Sequence, residues 1–69
     1  MTATPHVYEI RIMHMGAVVR VYRPESRAEA RRVYHRNFDT PGQYTQLVLD
    51  GAPQSTAKAR RLLGLSRYV

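Results

Sequence analysis

The chain contains no cysteine. That excludes disulfides, thiol catalysis, zinc ribbons and clusters held by thiolates. Acids are scarce, five against eleven cations, which leaves a formal charge of +6. No apolar run approaches the roughly 18 residues that a membrane-spanning helix needs. The opening stretch MTATPHVYEI has neither a basic n-region nor an apolar h-region, so the expectation is no signal peptide and a cytoplasmic location. The four glycines are scattered, and a phosphate loop needs several together. H-x-x-x-H, H-E-x-x-H and G-x-S-x-G are all missing.

The general acid/base inventory is therefore thin. His6 and His14 flank one strand-like segment, separated by roughly 26 Å if extended, too far to share a metal within one subunit. His35 stands alone on the polar side of a helix-like segment. Each is read as a surface side chain. The expectation is a binding protein rather than an enzyme, with no metal and no cofactor.

What is present is arginine: ten of the eleven cations. A GC-rich coding bias would favour arginine over lysine without any function, but it would not explain the excess of cations over acids. A charge this large raises the expectation of an anionic partner, either nucleic acid or an acidic protein. At 69 residues the chain has room for one small domain, read here as residues 6–64, with a loose end at 1–5 and a tail at 65–69. Its core is small, so a partner subunit or ligand would add stability.

HVYEIRIMH, residues 6–14, alternates in polarity. Tyr8, Ile10 and Ile12 fall on one face, and Val7, Glu9, Arg11 and Met13 on the other. AVVRVYR, residues 17–23, reads as a second strand, with Met15-Gly16 as the hairpin turn. A two-residue loop there sets Ile12 opposite Val19, Ile10 opposite Val21, Met13 opposite Val18, Arg11 opposite Arg20 and Glu9 opposite Tyr22. Pro24 ends that strand. Ser26 and Glu29 form an S-x-x-E capping box that opens a helix running to about Phe38, with Ala30, Val33, Tyr34 and Asn37 on its core side. Asp39-Thr-Pro-Gly42 reads as a type II turn. QYTQLVLD, residues 43–50, is a third strand with Thr45, Leu47 and Leu49 inward. Asp50-Gly51 turns the chain. A second helix opens at Pro53 or Ser55 and ends near Gly64, with Ala59, Leu62 and Leu63 as its apolar side and Lys58, Arg60 and Arg61 pointing away.

The order β-β-α-β-α describes an α+β fold of two layers, a three-stranded, mostly antiparallel sheet with helix packed on one face. A right-handed crossover places the third strand beside the first and antiparallel to it.

Two surfaces carry the functional expectation. On the first helix, Arg27, Arg31 and His35 follow one another at i, i+4, i+8, and Arg32 and Arg36 form a neighbouring line. Like charges at this spacing cost an isolated helix about 0.2–0.5 kcal/mol per pair, while guanidinium forks match phosphate oxygens. The second surface is the sheet face away from this helix, expected to present Arg11, Met13, Arg20, Tyr22, Tyr44 and Gln46. Tyrosines beside arginines suit stacked single-stranded nucleic acid. They suit a protein interface equally. These two surfaces would lie on opposite sides of the domain. A homodimer through the sheet would reconcile them by leaving two arginine helices exposed.

Arg60 and Arg61, with Lys58 and Arg67, add a third basic group. STAKARRLL is similar, over that stretch alone, to the second helix of double-stranded-RNA-binding domains. Those domains begin with a helix and run their strands consecutively, so the likeness assigns no family. The apolar side of the first helix is needed for the core, which argues against a membrane-surface role. The sequence thus points to a nucleic-acid-binding module, for DNA or RNA, contacting phosphates through Arg27, Arg31, Arg32, His35 and Arg36, with Arg60 and Arg61 as auxiliaries. The alternative is a protein-interaction or regulatory module, a small inhibitor or adaptor, using Arg11, Met13, Arg20, Tyr22, Tyr44 and Gln46.

Overall fold

The computed structural model describes residues 6–38 and 40–65. The readings made for residues 1–5, Asp39 and residues 66–69, Arg67 among them, lie outside these. The chain forms β1 (Tyr8–His14), β2 (Ala17–Tyr22), α1 (Arg27–Phe38), β3 (Gln43–Leu49), β4 (Ala52–Pro53) and α2 (Thr56–Leu62). The strands make one antiparallel sheet in the order β2-β1-β3-β4. The expected placement of β3 beside β1 holds. The expected three strands become four, because Asp50-Gly51 returns the chain onto β3 through Leu49↔Ala52 and Val48↔Pro53. Both turn residues have positive φ, 51° and 83°, the backbone of a type I′ hairpin, which Asp-Gly favours. Pro53 is tolerated because β4 is an edge strand.

Alternation along β1 and β3 aims Ile10, Ile12, Thr45 and Leu47 at the helices, and all four are buried. Ala30, Val33 and Tyr34 of α1 meet them, as do Ala59 and Leu63, and together the apolar members form one cluster. Both helices therefore cover the same sheet face. Among the described residues, no helix covers the opposite face.

Local chemistry explains the helix ends. Ser26 Oγ accepts from the Glu29 amide at 3.1 Å, and Glu29 returns its carboxylate to the amide of Glu25. The box closes one residue earlier than the usual reciprocal bond. Ser55, not Pro53, caps α2 by accepting from the Lys58 amide. The far end is a Schellman motif: Leu65 N–H donates to Arg60 O and Gly64 N–H to Arg61 O. Gly64 has φ 77°, and a Cβ there would stand 3.1 Å from Arg27 Nη2.

The β1–β2 hairpin departs from the expected register. His14↔Ala17 and Met13↔Val18 pair as anticipated, but the ladder then shifts to Ile12↔Arg20, Arg11↔Val21 and Ile10↔Tyr22. Val19 is the extra residue of a β-bulge. Arg11 therefore does not oppose Arg20. Paired residues share a face, so Arg20 and Tyr22 move to the helix side and Val21 to the open side. The physical reason lies in what α1 covers. It packs over β1 and β3, and β2 overhangs it. Valines at positions 19 and 21 would find no helix above them, whereas the longer Tyr22 reaches the rim of the core.

The turn of this hairpin is also type I′, with Met15 at φ 52° and Gly16 at φ 81°. Methionine adopts that backbone poorly, and its side chain is 91% exposed, so it gains no packing in return. Met15→Asn is expected to stabilise the fold by about 0.5–1 kcal/mol. For a domain of this size that raises Tm by about 4–8 °C per kcal/mol, measurable by thermal circular dichroism.

Candidate nucleic-acid interface

Arginines divide into those already engaged by the fold and those left facing solvent. Arg60 belongs to the first group. It is only 8% exposed, and its guanidinium carbon lies 4.5 Å from the centre of the Phe38 ring. Phe38 in turn stacks on Tyr34 at 5.7 Å. Arg60 thus fastens α2 to the end of α1 and is removed from the surface on which the helical pattern placed it. Arg27 Nε donates to Leu62 O at 2.9 Å, tying the start of α1 to the end of α2. Arg11 and Arg23 both approach Glu9, so one acid on the open sheet face serves two cations. Arg61 is exposed on α2, remote in sequence from the α1 stripe.

Arg31, Arg32, His35 and Arg36 are exposed along α1. Arg31, Arg32 and His35 line one shallow recess with Leu65. Arg36 follows Arg32 by one turn and lies on the flank of α1 that faces the overhanging β2. There it meets Tyr22, one of the two residues that the bulge relocated. Arg20 Nη1 donates to the Tyr22 hydroxyl at 3.0 Å, and its guanidinium carbon is 6.0 Å from the Tyr22 ring centre. The Arg20 hydrogen bond holds the Tyr22 phenol below its ordinary value of 10.0, and Arg36 adds to the effect through its charge and a hydrogen bond.

Three of the four described acids have evident structural duties elsewhere. Glu9 serves Arg11 and Arg23. Glu29 closes the α1 cap and Asp50 holds His6 and the Val7 amide. Glu25 lies beside the cap, with its own amide bonded to Glu29. Among the described residues, no carboxylate is seen paired with Arg20, Arg31, Arg32 or Arg36.

The sequence had placed the tyrosine/arginine signal and the helix signal on opposite sides. The bulge brings part of the first to the second, so Tyr22 and its partner Arg20 now stand beside Arg36. Arg11, Met13, Tyr44 and Gln46 remain on the open face, joined by Val18 and Val21. His14 donates from Nδ1 to Gly42 O and is occupied in holding the turn before β3. Among the described residues, no three His, Cys, Asp or Glu side chains gather to hold a metal ion, and no helix is long and apolar enough to cross a membrane.

Sequence reasoning missed a cleft of about 200 Å³ between β2 and the end of α1, lined by Ile12, Val19, Arg20, Asn37 and Gln43. No motif marks it, since its walls come from four elements and its mouth exists only because β2 overhangs.

The positive surroundings of Tyr22 are directly measurable. Tyrosine absorbance followed during alkaline titration is expected to reveal one phenol ionising below 10. Arg20→Gln should return it toward the ordinary range. The lowered value means that the fold favours the phenolate. Its contribution to stability is complete above the unfolded value and is lost as pH falls through the folded one.

Compared with known protein families, curated proteins and solved structures, the chain matches none.

Proposed function

We propose that this protein is a small non-enzymatic module that binds nucleic acid through its phosphates, using Arg20, Arg31, Arg32 and Arg36. The observation that carries this reading is the convergence of Arg20 with Arg36 around Tyr22, continuous along α1 with Arg32 and Arg31, with no carboxylate among the described residues paired with any of the four. Clustered guanidiniums without carboxylates repel one another. An anion relieves that repulsion, and a phosphodiester chain supplies anions at the regular spacing such a stripe can use. His35 lies within the same footprint. Arg61 is an outlying contact. Arg27 and Arg60 serve the fold first.

Binding of a labelled mixed-sequence oligonucleotide at several salt concentrations tests the reading. Four arginines at about 0.7 counterions each predict a log–log slope of about −3 for a single strand. A slope near zero, or no binding at low salt, refutes it.

A second reading is favoured by the open sheet face. Tyr44, Met13 and Val18 lie in one cross-strand row, and Val18 and Tyr44 are 48% and 43% exposed. Tyrosine and methionine flanked by polar residues suit contact with another protein. The outer edge of β2 is a poor pairing edge, since the bulge twists it and Arg20 charges it. The face, not the edge, is the candidate. Tyr44→Ala should then weaken self-association, or binding to an acidic partner, without altering the salt slope for nucleic acid.

A further inference from the structure

We propose that the cleft between β2 and the end of α1 receives one unpaired nucleobase, so that the protein selects single-stranded over duplex nucleic acid. The proposal rests on the nucleic-acid reading above and adds to it which form of the polymer is bound and where.

Size limits the occupant. At about 200 Å³ the cleft is smaller than the roughly 300–1,000 Å³ that encloses a drug-sized molecule. It admits one ring system rather than a whole cofactor. Its lining is mainly polar. Ile12 and Val19 are apolar, and Val19 is exposed there because the bulge leaves it out of the ladder. Arg20 contributes donors alone. Asn37 spends its Nδ2 on Val33 O at 2.9 Å, which leaves its Oδ1 to accept. Gln43 is exposed at the start of β3, and its amide both donates and accepts.

A bare phosphate needs donors only. A carboxylate-bearing peptide side chain does too. A nucleobase edge presents donors and acceptors together, with flat apolar faces above and below. The donors and acceptors of Arg20, Asn37 and Gln43 match such an edge better than they match a simple anion, while Ile12, which is buried, and Val19 add a small apolar margin. A base already paired in a duplex has its Watson–Crick edge occupied and cannot enter. The arginines next to the cleft would hold the phosphates on either side of the inserted base, Arg20 at its wall and Arg36 one helical flank away.

Fluorescence anisotropy with four labelled probes tests this: an oligothymidylate, an abasic strand of the same length, a duplex containing the oligothymidylate, and an oligoglutamate. The wild-type protein is expected to bind the oligothymidylate about tenfold more tightly than the abasic strand or the duplex, in line with one base edge held by paired hydrogen bonds. Gln43→Ala changes no charge and touches an exposed position. It should erase that preference and leave abasic-strand binding unchanged. Arg20→Gln should weaken oligothymidylate and abasic strand together and also reduce the preference. Far-UV circular dichroism of both variants confirms that the fold is kept. Equal binding of base-bearing and abasic strands, or a preference that survives Gln43→Ala, overturns the base-in-cleft proposal and leaves the phosphate reading intact. Oligoglutamate bound as tightly as oligothymidylate also overturns it, in favour of an acidic protein. No binding to either strand overturns both.

Discussion

Tyr34→Ala is expected to cost the protein about 3–5 kcal/mol, a third or more of its stability. Tyr34 is fully buried at the centre of the one core cluster. It is the largest side chain there, and its ring stacks on Phe38, which carries the Arg60 guanidinium on its other contacts. Truncating a buried aromatic to alanine costs about 3–5 kcal/mol in lost transfer energy and cavity. At about 0.05–0.15 kcal/mol per residue, a chain of 69 residues has about 3–10 kcal/mol to lose. The substitution therefore removes a third of the stability at best and all of it at worst. It also strands Arg60, since Phe38 loses the ring that positions it. Val18→Ala, on the exposed strand β2, should shift stability by no more than about 0.5 kcal/mol. Urea unfolding of the two variants is the measurement. Equal midpoints would mean that the cluster around Tyr34 is not the core.

That contrast bears on how much was legible in the chain. Polarity alternation located β1 and β3 with the right faces because both lie under helices, so one side of each had to be apolar. The capping box and the Asp-Gly turn were legible because each depends on few residues close in sequence. The bulge at Val19 was not. AVVRVY carries valine at both parities, so shifting the ladder by one residue leaves the pattern equally plausible. What decides between registers is how far α1 extends over β2, a tertiary fact. The fourth strand was missed because two residues, one of them proline, make no period. Arg60 was misplaced because a helical pattern assumes arginine belongs outside. Its burial depends on Phe38 arriving from another helix. Two of these misses fell on the candidate site: the bulge relocated Arg20 and Tyr22, and the burial of Arg60 took one expected phosphate contact away. The open face was read more accurately for Arg11, Met13, Tyr44 and Gln46, since β1 and β3 pair without a bulge, although Val48 is buried beside Leu47 and Leu49, expected inward, is only half-buried.

Reversing Arg31 and Arg32 to glutamate should separate stability from binding. Both side chains are exposed on α1 and make no packing contact that the core requires. Each reversal removes two charges, so the pair takes the chain from +6 to +2. Arginine and glutamate have similar helix propensities. The repulsive i, i+4 pairs of Arg27 with Arg31, Arg31 with His35 when protonated, and Arg32 with Arg36 become attractive. Each gains about 0.2–0.5 kcal/mol, so the double variant should melt at the same temperature as the wild type or slightly above it. Nucleic-acid binding should move the other way. Losing two phosphate contacts lowers the single-strand salt slope by about 1.4 and costs about tenfold near physiological salt through counterion release. Repulsion between the new carboxylates and phosphate raises the loss to about 30-fold or more. A surface whose charge merely keeps the protein solvated would show the gain in stability without the loss in binding. Arginines kept together for phosphate show both, because the repulsion that weakens the free protein is what the bound polymer relieves. Thermal melting and anisotropy titration on the same double variant decide the matter, and unchanged affinity would remove Arg31 and Arg32 from the interface.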